Sequence, residues 1–315
     1  MKGTKYLFLA ATALSLAACS SDDENMGVND GPVAAQITAG LNVPATRAEN
    51  QTWGTDDAIG VTVTAAPTSN METVYRNVEY TISTGGSTQS ATFTSATGIY
   101  FQDENETVTF SAYFPYQSGL AENGIISHDD ISTMQTDAAT QETIDYLYDD
   151  GVTATQTNPS VNFTFEHKMT KLILIVKTGA GFTPSEIATG WLFNLDGLIH
   201  KGTFDTNTGI AIADATASPV SAWNITDNRC EVDTDAGTRT YIMYLYPQTL
   251  TSSGLSFSAT YGGQTYTTQA GAINPALEEG NSYQYTITVN QTGLIVSRCT
   301  IEPWTEHSEK VTAEQ

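Results

Sequence analysis

Acidic side chains make up most of the residues in this chain that could do chemistry. The adjacent pairs Asp129-Asp130 and Asp149-Asp150 have the side-chain types that a general acid and a general base require. A chain of 315 residues with 35 Asp and Glu contains such pairs by chance, however. It has no Gly-x-Ser-x-Gly turn, no His-Glu-x-x-His motif and no glycine-rich phosphate loop. We therefore expect neither an enzyme nor a bound cofactor.

Two segments resemble the beginning of a calcium-binding loop. Residues 205–209 have the sequence Asp-Thr-Asn-Thr-Gly, and residues 233–237 have the sequence Asp-Thr-Asp-Ala-Gly. Both lack the remaining ligands and the distal glutamate of such a loop, and turns favour the same residue types without a metal. The four histidines are scattered with no paired spacing: His128, His167, His200 and His307. The sequence thus predicts no metal site, and His167, in a strand-like run, is expected to be packed or hydrogen-bonded.

The cysteine at position 19 has a context that indicates covalent modification. Two lysines precede an apolar stretch at residues 6–18, which has the length of a signal-peptide core and is shorter than the about 20 residues of a membrane-spanning helix. Residues 16–19 have the sequence Leu-Ala-Ala-Cys, the pattern at which a lipoprotein signal peptide is cut. We expect removal of residues 1–18 by cleavage between Ala18 and Cys19, and a lipid on the Cys19 sulfur. An ordinary signal peptide with a cysteine there by chance is the alternative.

The other two cysteines, Cys230 and Cys299, each lie in a strand-like run. An oxidising compartment would allow a disulfide between them. Two unpaired, half-buried thiols are the alternative, because the sequence does not show whether their Cα atoms come within bridging distance. Both outcomes are compatible with the sequence.

The net charge excludes two classes of partner. The formal value of −23 leaves no basic stripe that could displace counterions from nucleic-acid phosphates or adhere to anionic lipid. Residues 20–25, directly after Cys19, have the sequence Ser-Ser-Asp-Asp-Glu-Asn and form a short acidic tether. Self-repulsion keeps so acidic a body dispersed, which suits a protein on the outside of a cell. We predict no nucleic-acid partner.

Hydrophobic periodicity predicts an all-β protein. Residues 33–43 alternate strictly, with Val33, Ile37, Leu41 and Val43 on one face together with two alanines, as in a half-buried strand. A polar loop at 45–52 follows. Further strands are expected at 58–65, 74–83, 89–94, 107–113, 161–166, 170–178, 191–195, 240–246, 255–261, 264–270, 283–289 and 294–301.

The length of the chain predicts two sandwiches rather than one. About 265 residues follow the polar loop, more than a single small sandwich needs. Residues 155–160 are the most linker-like point, so domains are expected at 48–160 and 161–315. Gly262-Gly263 predicts a two-residue hairpin turn. Residues 141–148 are the candidate for a turn or two of helix.

Several local patterns together resemble the fimbrillin family of Bacteroidales, the subunits of type V pili. The patterns are Leu-Ala-Ala-Cys at 16–19, Ala-Thr-Arg-Ala at 45–48, Trp53 with Asp-Ala-Ile-Gly-Val at 57–61, Ser-Ala-Tyr-Phe-Pro-Tyr at 111–116, Phe-Thr-Phe-Glu-His-Lys-Met-Thr-Lys-Leu at 163–172, Tyr-Pro-Gln-Thr-Leu at 246–250 and Ile-Glu-Pro-Trp at 301–304. The order and spacing of the patterns make the resemblance specific. It extends from Cys19 to the last expected strand.

The resemblance implies two transthyretin-like β-sandwich domains behind a lipoprotein signal peptide and short tether. The precursor would be exported to the surface of the cell outer membrane. A trypsin-like protease would then cut between Arg47 and Ala48, so that residues 19–47 are a lipidated propeptide carrying the first strand. Exposed polar loops are where chains are nicked. An ordinary solvated loop residue is the alternative for Arg47.

Loss of the strand at 33–43 would leave unpaired backbone groups along an apolar groove, which a strand from another subunit could fill. The candidate donor is the C-terminal run, with Leu294, Val296, Ile301 and Trp304 as its apolar residues. Because Leu294 and Val296 fall on one face and Ile301 on the other, this run needs a bulge, or the donor is another segment. Repetition of one head-to-tail contact builds an open filament.

The expected function is therefore that of a structural stalk or tip subunit of a cell-surface fimbrium. Its partners would be other fimbrial subunits, the outer membrane through the lipid on Cys19, and a host or bacterial surface ligand. An anchor subunit would instead keep its lipid and escape cleavage.

The alternative function is that of a surface glycan-binding lipoprotein with the same anchor. Trp191, Trp223 or Tyr266 would then be exposed and stack on sugar rings. Aromatic residues in strands more often lie in the core. The exposure of these three side chains distinguishes the two functions.

Overall fold

Several strands of this protein alternate between buried and exposed residues. A computed structural model describes residues 32–42, 52–65, 75–104, 106–128 and 131–304. This part of the chain is built almost wholly from β-strands, and it contains no helix with the length and apolar character needed to cross a membrane. The described residues from Val33 onward belong to one compact unit. The all-β fold class is confirmed.

The first half of the chain contains eight of the described strands. They are β1 (Gln36–Leu41), β2 (Ala58–Ala65), β3 (Val78–Thr84), β4 (Ser90–Thr94), β5 (Thr107–Phe114), β6 (Ile125–His128), β7 (Leu147–Thr155) and β8 (Ser160–His167). A 3-10 helix (Ile131–Gln135) and the helix α1 (Ala138–Glu142) lie between β6 and β7. The helix expected at 141–148 is wrong in position, because Asp137 begins α1 by accepting a hydrogen bond from the Thr140 backbone at 2.9 Å, and β7 already starts at Leu147.

The second half contains the remaining strands. They are β9 (Thr170–Thr178), β10 (Trp191–Asp196), β11 (Gly202–Asp205), β12 (Ile210–Ala213), β13 (Trp223–Asn224), β14 (Cys230–Asp233), β15 (Thr238–Leu245), β16 (Gln248–Thr249), β17 (Ser256–Tyr261), β18 (Gln264–Thr267), β19 (Ala276–Leu277), β20 (Asn281–Asn290), β21 (Gly293–Val296) and β22 (Thr300–Pro303), with a 3-10 helix at Pro184–Ala188. Gly262 and Gly263 join β17 to β18 with φ of 56° and 83°, which glycine adopts without strain. The predicted hairpin is confirmed.

The first half folds into one sheet that closes on itself. Its strand order is β1-β4-β3-β2-β5-β7-β8, and β8 returns to pair with β1. Inward side chains from these strands form the first core, among them Ile37, Phe93, Phe110 and Phe163. Closure of the sheet therefore depends on β1, the strand nearest the N-terminus.

The second half is a sandwich of two sheets. One has the order β14-β15-β9-β20, with β21 and β22 both on the far edge of β20, and the other has the order β13-β10-β17-β18. Side chains from both sheets meet in the second core, among them Leu174, Phe193, Tyr241, Phe257 and Ile287. The sheet containing β20 thus ends in two short edge strands that come from the C-terminal run.

A third buried cluster joins the two halves. It combines side chains of the first half, such as Tyr113 and Tyr146, with Phe204, Tyr246 and Trp304 of the second. The rings of Tyr146 and Phe204 stack with centroids 4.5 Å apart and an interplanar angle of 4°. In addition, β6 of the first half pairs with β11 of the second.

The sheets divide one strand later than the boundary expected at residue 160. Residues 155–160 contain a tight turn in which the backbone N–H groups of Thr155 and Asn158 each donate to the other's carbonyl oxygen at 3.1 Å. After this turn, β8 pairs with β1 and β7 in the first sheet. A hairpin turn and a linker share the same polar composition, which explains the difference. We propose the short connection between His167 and Thr170 as the domain boundary.

Cys230 and Cys299 are both free thiols. Cys230 lies on β14 at one edge of its sheet, and Cys299 lies between β21 and β22 at the opposite edge. Four strand spacings of about 4.8 Å separate these edges by about 19 Å. A disulfide spans Cα atoms no more than about 7 Å apart. The two cysteines therefore remain unpaired within one chain.

Buried tyrosines predict that the fold is lost in alkali. Burial raises the pKa of Tyr80, Tyr113 and Tyr241 to about 12 from an ordinary value of 10.0. The unfolded chain loses these protons before the folded chain does, so their contribution to stability is full below the ordinary value and is lost as the pH rises through the raised values. We expect tyrosinate absorbance to rise cooperatively, together with loss of the circular dichroism signal of the strands. A gradual titration centred on the ordinary value, with the fold intact, would contradict this prediction.

Candidate assembly site at the first strand

The strand β1 is hydrogen-bonded on both sides. It pairs antiparallel with β4 over four residues and parallel with β8 over six residues. Further bonds extend the pairing beyond its ends. Among them, Ala35 N–H donates to the Ile99 carbonyl at 2.8 Å and Asn42 N–H donates to the Phe165 carbonyl at 3.0 Å. No other strand bridges β4 and β8 in the described part of the first sheet. Removal of β1 would open the sheet along its whole length.

The inward side chains of β1 fill part of the first core. Ile37 and Ala39 are 1% and 0% exposed, and the half-buried Val33 and Leu41 pack against the same core. Burial of one large aliphatic side chain contributes about 1.5–3 kcal/mol. Both the backbone and the apolar face of β1 therefore hold the strand in place.

The remaining residues predicted for processing lie outside the described residues. They are Ala18, Cys19, Val43, Arg47 and Ala48. Residues 43–51 fall between the described residues Asn42 and Thr52. Leu41 and Thr52, near the two sides of this gap, both line a cavity of about 270 Å³ at one end of the first sheet. The described residues that flank the predicted cleavage loop thus lie beside the same cavity.

Trp53 holds β1 from the far side of the loop. Its indole Nε1–H donates to the Ala39 carbonyl oxygen at 3.0 Å. Its ring makes edge contacts with Phe93, Phe114 and Phe165 at centroid distances of 5.2, 5.5 and 5.7 Å. In the sequence, Trp53 stands out only as part of the patterns that resemble fimbrillins. Its contacts show that a residue beyond Arg47 binds the main chain of the strand before it.

Acidic side chains surround the cavity beside Trp53. The carboxylate of Asp57 accepts a hydrogen bond from Gly54 N–H at 2.7 Å and closes the turn that follows Trp53. Burial raises the pKa of Asp57, and the Gly54 hydrogen bond offsets part of this rise. Burial, with repulsion from Asp57 and Asp145, also raises the pKa of Glu142. Among the described residues, no three His, Cys, Asp or Glu side chains are placed to hold a metal ion.

The C-terminal segment, defined as residues 293–304, forms the edge of the second sheet. Its strands β21 and β22 both pair antiparallel with β20. They are separated at residues 297–299, where the change of face in the sequence requires an interruption. Leu294 and Val296 pack against the second core, whereas Ile295 and Ile301 are 64% and 57% exposed. The proposed donor is thus already paired within its own chain.

Trp304 anchors the end of the C-terminal segment in the cluster between the two halves. Its side chain is 4% exposed, and its backbone N–H donates to the Gly280 carbonyl at 2.5 Å. Its ring stacks on His167 with centroids 4.1 Å apart and an interplanar angle of 6°, and it lies 4.8 Å from the Tyr244 ring. The sequence suggested Trp304 as an apolar residue of a donated strand. In this structure it instead fastens the segment to the end of β8.

The aromatic residues expected for sugar binding do not form an exposed platform. Trp191 and Trp223 are 6% and 8% exposed and belong to the second core, and Tyr266 is half-buried against it. Trp191 stacks on Tyr261 with centroids 4.5 Å apart. These side chains pack the sandwich.

The calcium-like segments form ordinary turns. The Asp205 carboxylate accepts from Asn207 N–H at 2.8 Å, and the Asp233 carboxylate accepts from Asp235 N–H at 2.9 Å. Asp149 accepts from Thr164 N–H at 2.7 Å and so links β7 to β8. The pair at 129–130 and the histidine at 307 lie outside the described residues. Backbone N–H groups thus donate to the carboxylates of Asp149, Asp205 and Asp233.

Comparison with known proteins identifies the family. The fimbrillin-like family matches residues 46–304. A candidate fimbrium subunit, Fim1C, of Bacteroides uniformis is 30% identical over 310 residues, which cover 94% of this chain and 93% of that protein. The crystal structure of a candidate cell adhesion protein of Bacteroides ovatus has a TM-score of 0.67 at 28% identity, covering 87% of this chain and 98% of the other. A second such structure, from Bacteroides uniformis, has a TM-score of 0.64 at 24% identity over 88% of this chain and 99% of the other, and it shows the shared fold. The chain whose first sheet is closed by β1 belongs to the fimbrillin-like family.

Proposed function

We propose that this protein is a structural stalk or tip subunit of a cell-surface fimbrium, and that its subunits assemble by exchanging β1 for a strand of a neighbouring subunit. The observation that supports this proposal is the position of β1 relative to Arg47. The strand precedes Arg47 in the chain, yet it is bonded on both sides within the sheet formed by later residues. A cut after Arg47 breaks its covalent link to that sheet.

Loss of β1 converts β4 and β8 into two facing edges. Each edge then carries a row of unpaired N–H and C=O groups, and the groove between them is lined by Phe93, Phe163 and other inward side chains of the first core. Such an edge recruits another strand. An extended strand that runs antiparallel to β4 and parallel to β8 restores every lost ladder, with main-chain bonds for affinity and alternate side chains for register.

The lipid on Cys19 delivers the precursor to the outer membrane in this scheme. Residues 19–47 leave as a lipidated propeptide once Arg47 is cut, so the lipid serves as a temporary tether for a stalk or tip subunit. A Cys19→Ala precursor is expected to lose its partitioning into membranes. Retention of the variant in the membrane fraction would exclude lipid on Cys19 as the tether.

The glycan-binding alternative has no observation in its favour. The burial of Trp191 and Trp223 removes the aromatic platform on which it depends. In the proposed function, the other subunits of the fimbrium are the principal partners of this chain. Adhesion to a host or bacterial surface ligand is assigned to the assembled fimbrium.

Limited trypsin digestion of the purified precursor tests the proposal. The wild-type chain should yield a new N-terminus at Ala48, followed by filaments in electron micrographs. Arg47→Ala should block both. Arg298, which is exposed between β21 and β22, offers a second trypsin site, so intact masses must establish where the chain is cut. Arg298→Ala is the matched control and should cleave and assemble. Filaments from Arg47→Ala at the wild-type rate would show the mechanism to be wrong.

A further inference from the structure

We propose that the contact between Trp304 and His167 retains the C-terminal segment until β1 is lost, so that β8 couples removal of β1 to release of the segment. This inference rests on the proposed function, in which the segment is donated to a neighbouring subunit. It adds a reason why the precursor does not donate its segment early.

The first link is the dependence of β8 on β1. β8 pairs with β1 from Ser160 to Phe165, but it pairs with β7 only at its last two residues, Glu166 and His167. One further bond, from Thr164 N–H to the Asp149 carboxylate at 2.7 Å, ties the middle of β8 to β7. Loss of β1 thus removes most backbone bonds of β8 and makes it an edge strand, which Glu166 and His167 still pair to β7.

The second link is the histidine at the end of β8. His167 Nδ1 lies 2.8 Å from a carboxylate oxygen of Asp145, which orients the ring. The Trp304 indole stacks on the face of the His167 ring, with the two ring centroids 4.1 Å apart. Displacement of the end of β8 therefore moves the surface on which Trp304 is packed.

The third link is the weak attachment of the rest of the C-terminal segment. β21 and β22 are four residues long each and lie on the edge of the sheet. Between them, Ser297 N–H donates to the Thr286 carbonyl of β20, and Ser297 Oγ accepts from Thr286 N–H, both at 2.8 Å. Ile295 and Ile301 point to solvent and contribute little burial. Edge strands with few buried contacts open at low free-energy cost. Trp304 is the buried residue at the C-terminal end of the segment, so its contacts control release of the segment.

Coupling of this kind is reciprocal, because β1 and Trp304 both bias one shared element. While β1 is bound, β8 is rigid and His167 holds Trp304. Once β1 leaves, the same contact weakens and the segment becomes available to another copy of the chain. Processing then opens a groove and frees a strand in one step.

The uncleaved precursor provides the test, with the Cys299 thiol as the reporter. Cys299 is half-buried between β21 and β22, and burial raises its pKa, so release of the segment increases its reactivity towards a small thiol reagent. All variants carry Cys230→Ser and Cys19→Ala, so that Cys299 is the thiol that reacts. The labelling rate then follows the population of the released segment.

Four variants give distinct expectations. Ile37→Ala weakens β1 and should raise the labelling rate about fivefold or more, the lower range of coupling between sites. Ile59→Ala is the matched control, since Ile59 lies in the same core on β2, which does not pair with β8. It should leave the rate within about twofold. His167→Ala should raise the rate about 2- to 10-fold, the equivalent of one aromatic stack, and His167→Phe, which keeps a ring under Trp304, should restore it.

A combination of variants separates coupling from general loosening. In a Trp304→Ala background the segment is already released, so Ile37→Ala should have no further effect on the rate. Equal effects of Ile37→Ala and Ile59→Ala would overturn the inference, as would multiplicative effects of Ile37→Ala and Trp304→Ala. Filaments after cleavage without this coupling would leave the proposed function standing. Coupling without filaments would leave the inference standing and reject donation of the segment.

Discussion

Replacement of Trp53 by alanine is expected to destabilise the precursor by about 3–5 kcal/mol. The ring is 2% exposed and packs against three phenylalanines, so its removal leaves a large cavity in the first core. The Ala39 carbonyl also loses its hydrogen bond from the indole. A typical domain has a total stability of about 5–15 kcal/mol, so the change is a large fraction of it. Urea unfolding followed by circular dichroism measures the loss.

Two companion variants locate this effect at β1. Trp53→Phe keeps most of the packing and removes the bond to Ala39, so it should cost less than the alanine variant. Trp191→Ala is the matched control in the second core, because its indole donates to the Glu186 carbonyl instead. After cleavage at Arg47, Trp53→Ala should shed residues 19–47 faster than the wild type does, and Trp191→Ala should not. A loss of less than about 1 kcal/mol on Trp53→Ala would show that this tryptophan does not hold β1.

The double substitution Ile295→Asp with Ile301→Asp is expected to abolish filaments while leaving the monomer folded. Both side chains are mostly exposed, so the free energy of unfolding should change by no more than about 0.5 kcal/mol for each. In a fully extended segment these residues share one face with Ser297 and Cys299. A carboxylate on that face would have to enter the apolar groove left by β1, at a cost of several kcal/mol. Electron microscopy of cleaved protein is the measurement.

The choice of face follows from the pattern of β1. Its inward residues alternate in size, with Ile37 followed by Ala39, and the pair Ile295 and Ser297 has the same alternation of large and small. Leu294→Asp is the control, because Leu294 packs on the second core and its replacement should destabilise the monomer. Normal filaments from the double variant would mean that another face or another segment is donated.

Apolar patterning made part of the fold predictable. β1 follows a two-residue alternation and β9 is a continuous apolar run, and both lie where the sequence indicates. β11, β12 and β13 span four residues or fewer, too short for a repeating pattern, and β11 and β13 pair with the distant strands β6 and β10. The polar turn at 155–160 resembles a linker in composition alone. Local sequence therefore identified strands and missed the places where the chain changes sheet.

The assembly site was predictable only in part. The two-residue period identified β1 and its inward face, because that property is local. The bond from Trp53 to Ala39 joins positions on opposite sides of the Arg47 loop, and the stack of Trp304 on His167 joins the end of the chain to its middle. Contacts between distant positions leave no signature in a single sequence. The resemblance to fimbrillins supplied the predicted place of cleavage, which periodicity alone does not reveal.

The parallel pairing of β1 with β8 has a consequence for the architecture of a fibre. A strand that replaces β1 must enter with the direction of β1, because the reverse direction would mismatch the hydrogen bonds of both β4 and β8. Every junction then points the same way, and the two tips of the fibre are chemically unlike. One tip presents the open groove left by β1, and the other tip presents a donor strand that no subunit has bound. Under the proposed strand exchange, elongation would be vectorial, and a subunit lacking either feature would terminate it at one defined tip.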